Sequence, residues 1–89
     1  MATVYNFKIL TPNRKALDEE VISIVAPGEA GYLGVLANHA PLITTLQRGR
    51  LTVKLHDERP VVFEIGGGLL KVANNEAVLL TESIDEVEA

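Results

Sequence analysis

Residues 51–65 read LTVKLHDERPVVFEI, and the period of this stretch decides the fold. Leu51, Val53 and Leu55 alternate with Thr52 and Lys54. Further on, Val61, Phe63 and Ile65 recur with Glu64 pointing away. A period of two places one apolar face on a core and one polar face in water, the signature of a half-buried β-strand. Between the runs, His56-Asp57-Glu58-Arg59-Pro60 has turn composition, so the stretch reads as two strands joined by a hairpin loop.

The same period continues outward in both directions. Tyr5, Phe7 and Ile9 share one strand face, Asn6 and Lys8 the other, and Thr11-Pro12-Asn13 turns the chain. Val21 to Ala26 is β-branched and apolar on both faces, which predicts a strand covered on both sides. Pro27-Gly28 ends it. Leu69 to Val72 and Ala77 to Thr81 read as a hairpin joined near Asn74-Asn75, because asparagine tolerates positive φ. Arg14 to Glu20 is ambiguous between a short helix and a twisted strand, since Leu17 is its only large apolar residue. Short strands with turn signals about every 8 to 12 residues indicate an all-β sandwich or barrel. The chain shows no repeats, low-complexity tracts or internal linkers.

A chain of 89 residues is one small domain at most and must have a compact core. It has no cysteine, so neither a disulfide nor a thiolate metal site supports the fold. No apolar run approaches the roughly 20 residues of a membrane span. The opening MATVYNFKIL lacks the parts of a signal peptide, and the expected location is cytosolic. Net charge is −4. Residues 1–81 balance eight basic against eight acidic side chains, so the excess comes from Glu82, Asp85, Glu86 and Glu88. A neutral body with an acidic end offers nothing to nucleic acid. Residues 1–84 are assigned to the sandwich domain and 85–89 to a solvated acidic tail.

Catalytic and metal-binding constellations are missing. His39 has no cysteine or serine nucleophile at hand: Ser23 lies mid-strand and Ser83 near the terminus. His39 and His56 share no metal-ligand spacing with each other or with a carboxylate. Glu82, Asp85 and Glu86 lack the alternating ligands and central glycine of a calcium loop. Gly66-Gly67-Gly68 follows a strand, but LLKV succeeds it rather than a helix, so a bulge or bend is expected in place of a phosphate cradle.

Residues 31–42, GYLGVLANHAPL, are too apolar for an ordinary loop and too rich in turn formers for an ordinary strand. Tyr32 stands between glycines, either as a contact residue or folded back over the end of the sandwich.

Read together, Pro27-Gly28, Gly31-Tyr32-Leu33-Gly34, His39-Ala40-Pro41-Leu42, Leu46, Arg48-Gly49 and Gly67-Gly68-Leu69-Leu70-Lys71-Val72 resemble the ε subunit of F-type ATP synthases. The opening Phe7 to Pro12 fits as well, and the likeness spans nearly the whole chain. It implies a two-sheet β-sandwich of about ten short strands that sits in the rotor. It also implies packing on the γ subunit through a sheet face and edge, and on the c-ring through loops at one end. Carried over by position, Glu29, Tyr32, Asn38 and His39 fall on the c-ring contact, and Thr11, Leu42 and Thr44 near γ. Tyr32 departs from the family, where that position is often acidic. Relatives continue into a helical hairpin that restrains hydrolysis and in some members binds ATP. This chain ends at Ala89, so neither property, nor any cofactor, is expected. The implied function is non-catalytic, coupling ion-driven rotation to ATP synthesis on the cytoplasmic or stromal side of an energy-transducing membrane. A free-standing sandwich module for a small ligand or peptide is the alternative, and a small hydrolase using His39 is remote.

Overall fold

A computed structural model describes residues 3–87 and contains seven strands. They are β1 (Tyr5–Leu10), β2 (Lys15–Gly28), β3 (Gly31–Leu36), β4 (Leu42–Leu55), β5 (Pro60–Ala73), β6 (Glu76–Leu80) and β7 (Ile84–Val87). No helix is present among the described residues. The ambiguous stretch from Arg14 becomes the first half of β2. Its antiparallel partner β1 decides it, with Leu17 opposite Ile9.

Three strands of 14 residues each, β2, β4 and β5, account for the architecture. Each bends and passes from one layer to the other. The first halves of β2 and β4, the second half of β5, and β1 and β6 build one layer, in the order β4, β5, β6, β1, β2. The remaining halves build the other, in the order β3, β2, β4, β5, β7. Three bent strands counted twice and four unbent ones give the ten short segments of the expected sandwich. The hydrogen-bonded circuit β1–β6–β5–β4–β2 closes on itself through the β1–β2 pairing. Closure removes most free edges and makes the two layers one body.

Two corners carry the change of layer. At the first, Val21 pairs with Tyr5 of one layer and Leu55 of the other. At the second, β4 and β5 turn together. Inward residues of β4 are even-numbered up to Leu46 and odd-numbered from Leu51. Those of β5 are odd-numbered through Ile65 and even-numbered from Leu70. Because both strands change phase at the same place, their pairing register is kept from Leu42–Val72 to Lys54–Pro60. Gly66, Gly67 and Gly68 are the bend expected there. Gly67 has a φ of 95°, and a Cβ on Gly68 would run into the Leu80 carbonyl oxygen. The buried Thr81 hydroxyl donates to the Gly67 carbonyl at 2.6 Å and locks the corner.

The core joins Phe7, Ile9, Ile24, Leu51, Val53, Leu70 and Leu79 from both layers. Each fully buried side chain of this size contributes about 1.5–3 kcal/mol. The two hairpins read from sequence form as expected. Asn74 and Asn75 adopt φ of 53° and 58° between Ala73 and Glu76. The His56–Arg59 turn closes with Leu55 N–H on the Arg59 carbonyl at 3.0 Å.

Two expectations change. Val21 to Ala26 is not covered on both sides, since Val25 is exposed on the outer face. The run looks doubly apolar because β2 changes layer beside it. The acidic tail does not begin at Asp85. Residues Ile84–Val87 pair with β5 from Ile65 to Val62, with Ile84 and Val87 half-buried. Acidic side chains suit a strand at a sheet edge, where they discourage further pairing. Glu88 and Ala89 lie outside the described residues.

Candidate functional site

The opening half of GYLGVLANHAPL is strand β3, and its glycines explain how. Gly28 and Gly31 close a hairpin over Glu29-Ala30, and Gly31 takes a φ of 129°. Alternation then sends Leu33 and Val35 inward and Tyr32, Gly34 and Leu36 outward. β3 pairs with β2 alone, so its far edge is open among the described residues. The Tyr5 hydroxyl donates to the Val35 carbonyl at 2.7 Å and pins β3 over the core. Burial pushes the Tyr5 phenol pKa up.

The turn at one end of β3 is tied to β4. The Thr45 hydroxyl donates to the Glu29 carboxylate at 2.9 Å, and the Gln47 amide donates to the Glu29 carbonyl at 2.9 Å. At the other end, Asn38 takes a φ of 64° and its N–H donates to the Asn75 side chain at 2.8 Å. Asn75 in turn donates to the Val4 carbonyl at 3.2 Å. His39 N–H donates to the Leu36 carbonyl at 3.3 Å, and His39 Nδ1 lies 2.7 Å from the Ala40 carbonyl. A carbonyl only accepts, so Nδ1 carries the proton. Among the described residues, no carboxylate or side-chain hydroxyl hydrogen-bonds to this imidazole, as a catalytic base would require. Among the described residues, no group of three potential metal ligands converges.

The residues expected to share a contact are therefore spread out. Glu29 and Tyr32 lie at one end of β3 and Asn38 and His39 at the other, roughly 20 Å apart along six residues. Tyr32 is 65% exposed, although its hydroxyl approaches Gly49. Leu42 and Thr44 are half-buried on the edge segment of β4. Thr11 is separated from them by β5 and β6. Its hydroxyl accepts from Arg14 N–H at 3.2 Å and donates to the Arg14 carbonyl at 3.0 Å. It also lines a cleft of about 360 Å³ at the glycine corner, with Leu10, Pro12, Leu80 and Glu82.

Sequence reasoning gave no contact role to five exposed apolar residues. Leu36 and Val25 join Tyr32 on the outer face of one layer, and Leu69 and Leu80 are neighbours on the outer face of the other. Ile43 is exposed on the same face as Leu69 and Leu80. Their signal was phase: each is one position away from a buried or half-buried apolar residue in its strand.

The fold is thus a closed β-sandwich domain of ten segments with exposed apolar residues on both outer faces. Residues 4–87 match the family model for the β-sandwich domain of the ATP synthase delta/epsilon chain, and the chain belongs to that family. It is 39% identical over 83 residues to the ATP synthase epsilon chain of Moorella thermoacetica, covering 93% of this chain and 62% of that one. It is 38% identical over 80 residues to that of Chlorobaculum tepidum, covering 90% and 91%. The chain thus spans under two thirds of some relatives and nearly all of others. Among solved structures, a chain of the Euglena gracilis mitochondrial ATP synthase, in its OSCP/F1/c-ring assembly, superposes with a TM-score of 0.88. The overlap covers 97% of this chain and 56% of that one, at 21% identity, and speaks to the fold.

Proposed function

We propose that this domain is a non-catalytic part of an ATP synthase rotor, joining the γ subunit to the c-ring so that ion-driven rotation is coupled to ATP synthesis. The carrying observation is one closed sheet with exposed apolar residues on both outer faces. A torque-bearing adaptor needs rigidity and two interfaces. The closed circuit supplies the first, because backbone polar groups pair within it. The two faces supply apolar centres of the kind that stable interfaces require. A body of balanced charge suits close packing between subunits. Membership of the epsilon-chain family and the names of its relatives favour these partners.

On this reading, Glu29, Tyr32, Asn38 and His39 meet the polar loops of the c-ring, and Thr11, Leu42 and Thr44 lie toward γ. The domain performs no bond chemistry and takes no cofactor. It is peripheral to the membrane, on the cytoplasmic or stromal side. Replacing Tyr32 and His39 by alanine in the assembled rotor should lower the occupancy of this subunit after purification. Wild-type occupancy would overturn the contact assignment.

A further inference from the structure

Residues 30–47 contain no Asp, Glu, Lys or Arg, and they hold the open edge β3. The other edge of the same layer, β7, carries Asp85 and Glu86. Charged residues guard an edge against pairing, and β3 has none. Its register with β2 shows which backbone groups are free. Pro27 has no N–H, and it stands opposite Tyr32. That pair exchanges no double hydrogen bond, so alternation turns the N–H and C=O groups of Tyr32 and Gly34, and the N–H of Leu36, toward the open edge. The Leu36 carbonyl already accepts from His39 but keeps a lone pair.

We infer that β3 pairs antiparallel with β3 of a second copy of this chain, about a two-fold axis at Gly34. The strand is self-complementary about that residue. Tyr32 and Leu36 lie two positions to either side, both on the outer face and both about two-thirds exposed. In the two-fold pairing, Tyr32 of each copy meets Leu36 of the other, and the two Gly34 residues face each other. Gly34 leaves room at the axis: a Cβ there would come no closer than 4.0 Å to another atom, the Ile24 carbonyl oxygen. Val25, the partner of Gly34 in β2, extends the apolar patch across both copies. No like charges oppose one another along the pairing, which is the usual obstacle to joining identical strands.

The area sets the strength. The exposed parts of Tyr32, Leu36 and Val25 from two copies, with the strand edges, amount to roughly 800 Å², below the ~1,200 Å² of a stable interface. The dimer is therefore weak and reversible. It occupies the edge beside Tyr32, so on the rotor reading it competes with c-ring contact there and gives way when the larger rotor interface forms. Only that consequence depends on the rotor reading; the self-pairing itself does not.

Sedimentation equilibrium of the chain alone, from about 10 μM to 1 mM, should show the mass rising from the 9.6 kDa monomer toward twice that value. Gly34→Lys and Gly34→Asp each place identical charges face to face at the axis, in open space and without a positive φ. Each variant should melt cooperatively and sediment as a monomer over the same range, with association weakened at least tenfold. Mixed one to one, the two should associate again, because opposite charges now meet across the axis. Wild-type chain that stays monomeric at the highest concentration would overturn the inference. So would Gly34→Lys chains that associate as well as wild type. Two folded variants that fail to associate when mixed would overturn the register at Gly34. Since no rotor subunit is present, none of these outcomes bears on the rotor reading.

Discussion

The Tyr5 hydroxyl reaches a residue 30 positions away in sequence and donates to the Val35 carbonyl at 2.7 Å. This bond joins β1 of one layer to β3 of the other, and the ring that makes it lies in the core. Tyr5→Phe keeps the ring and removes the donor. It should cost about 1–2 kcal/mol by urea unfolding, with an unchanged slope.

The same phenol predicts an alkaline weakness. Burial raises its pKa above the ordinary 10.0, so the unfolded chain loses the proton first. Its contribution is complete below pH 10.0 and drains away as pH rises beyond it, because ionisation favours the unfolded state. Melts above that pH should fall more steeply for wild type than for Tyr5→Phe. Parallel decline would contradict the assignment.

The glycine corner tolerates little. Gly68→Ala drives a methyl group into the Leu80 carbonyl and should destabilise by about 3 kcal/mol or more, or prevent folding. Thr81→Val is milder: it removes the 2.6 Å bond to Gly67 and should cost about 1–2 kcal/mol. Thermal melts compare the two, and the order should be Gly68→Ala well below Thr81→Val.

An exposed pair behaves differently. The Lys15 ammonium at 2.8 Å, helped by the Asn6 amide at 3.2 Å, holds the Asp18 carboxyl below its ordinary value of 3.8. Its contribution is present above 3.8 and fades as pH falls through the lowered value. Solvent and salt screen it. In an NMR titration, Lys15→Ala should move the Asp18 midpoint up toward 3.8. An unmoved midpoint would assign the shift elsewhere.

Much of this fold was legible because alternation is local. Leu51, Val53 and Leu55 announced their strand, and Asn74-Asn75 their turn, within a few residues. The long strands were not legible as continuous elements. Whether β4 stops at Leu46 or bends depends on β5 bending beside it, and its single Gly49 is a weaker mark than the three consecutive glycines of β5. Val25 was misplaced for the same reason, since its solvent face depends on where β2 changes layer. Asp85 to Val87 read as solvated because charge dominated composition, while their pairing with Val62 to Glu64 lies more than twenty residues away. Of the candidate site, the motif residues could be named from resemblance. Their spacing could not: Glu29 and His39 are ten positions apart in sequence, and the extended β3 holds them beyond its opposite ends.

The tether at the second end gives one more expectation. Asn75→Gly keeps the positive φ but releases Asn38 and Val4. Amide exchange in residues 37–41 should quicken at least tenfold while the core amides hold their rates. Equal rates would mean that the loop is held by something other than Asn75.

The central claim is that this sandwich seats on a rotor through apolar faces. Calorimetric titration of the chain into purified γ subunit from the same source tests it most directly. One-to-one binding with a negative heat-capacity change is the result expected of an apolar interface. No heat of binding at several temperatures, with both proteins folded, would contradict it.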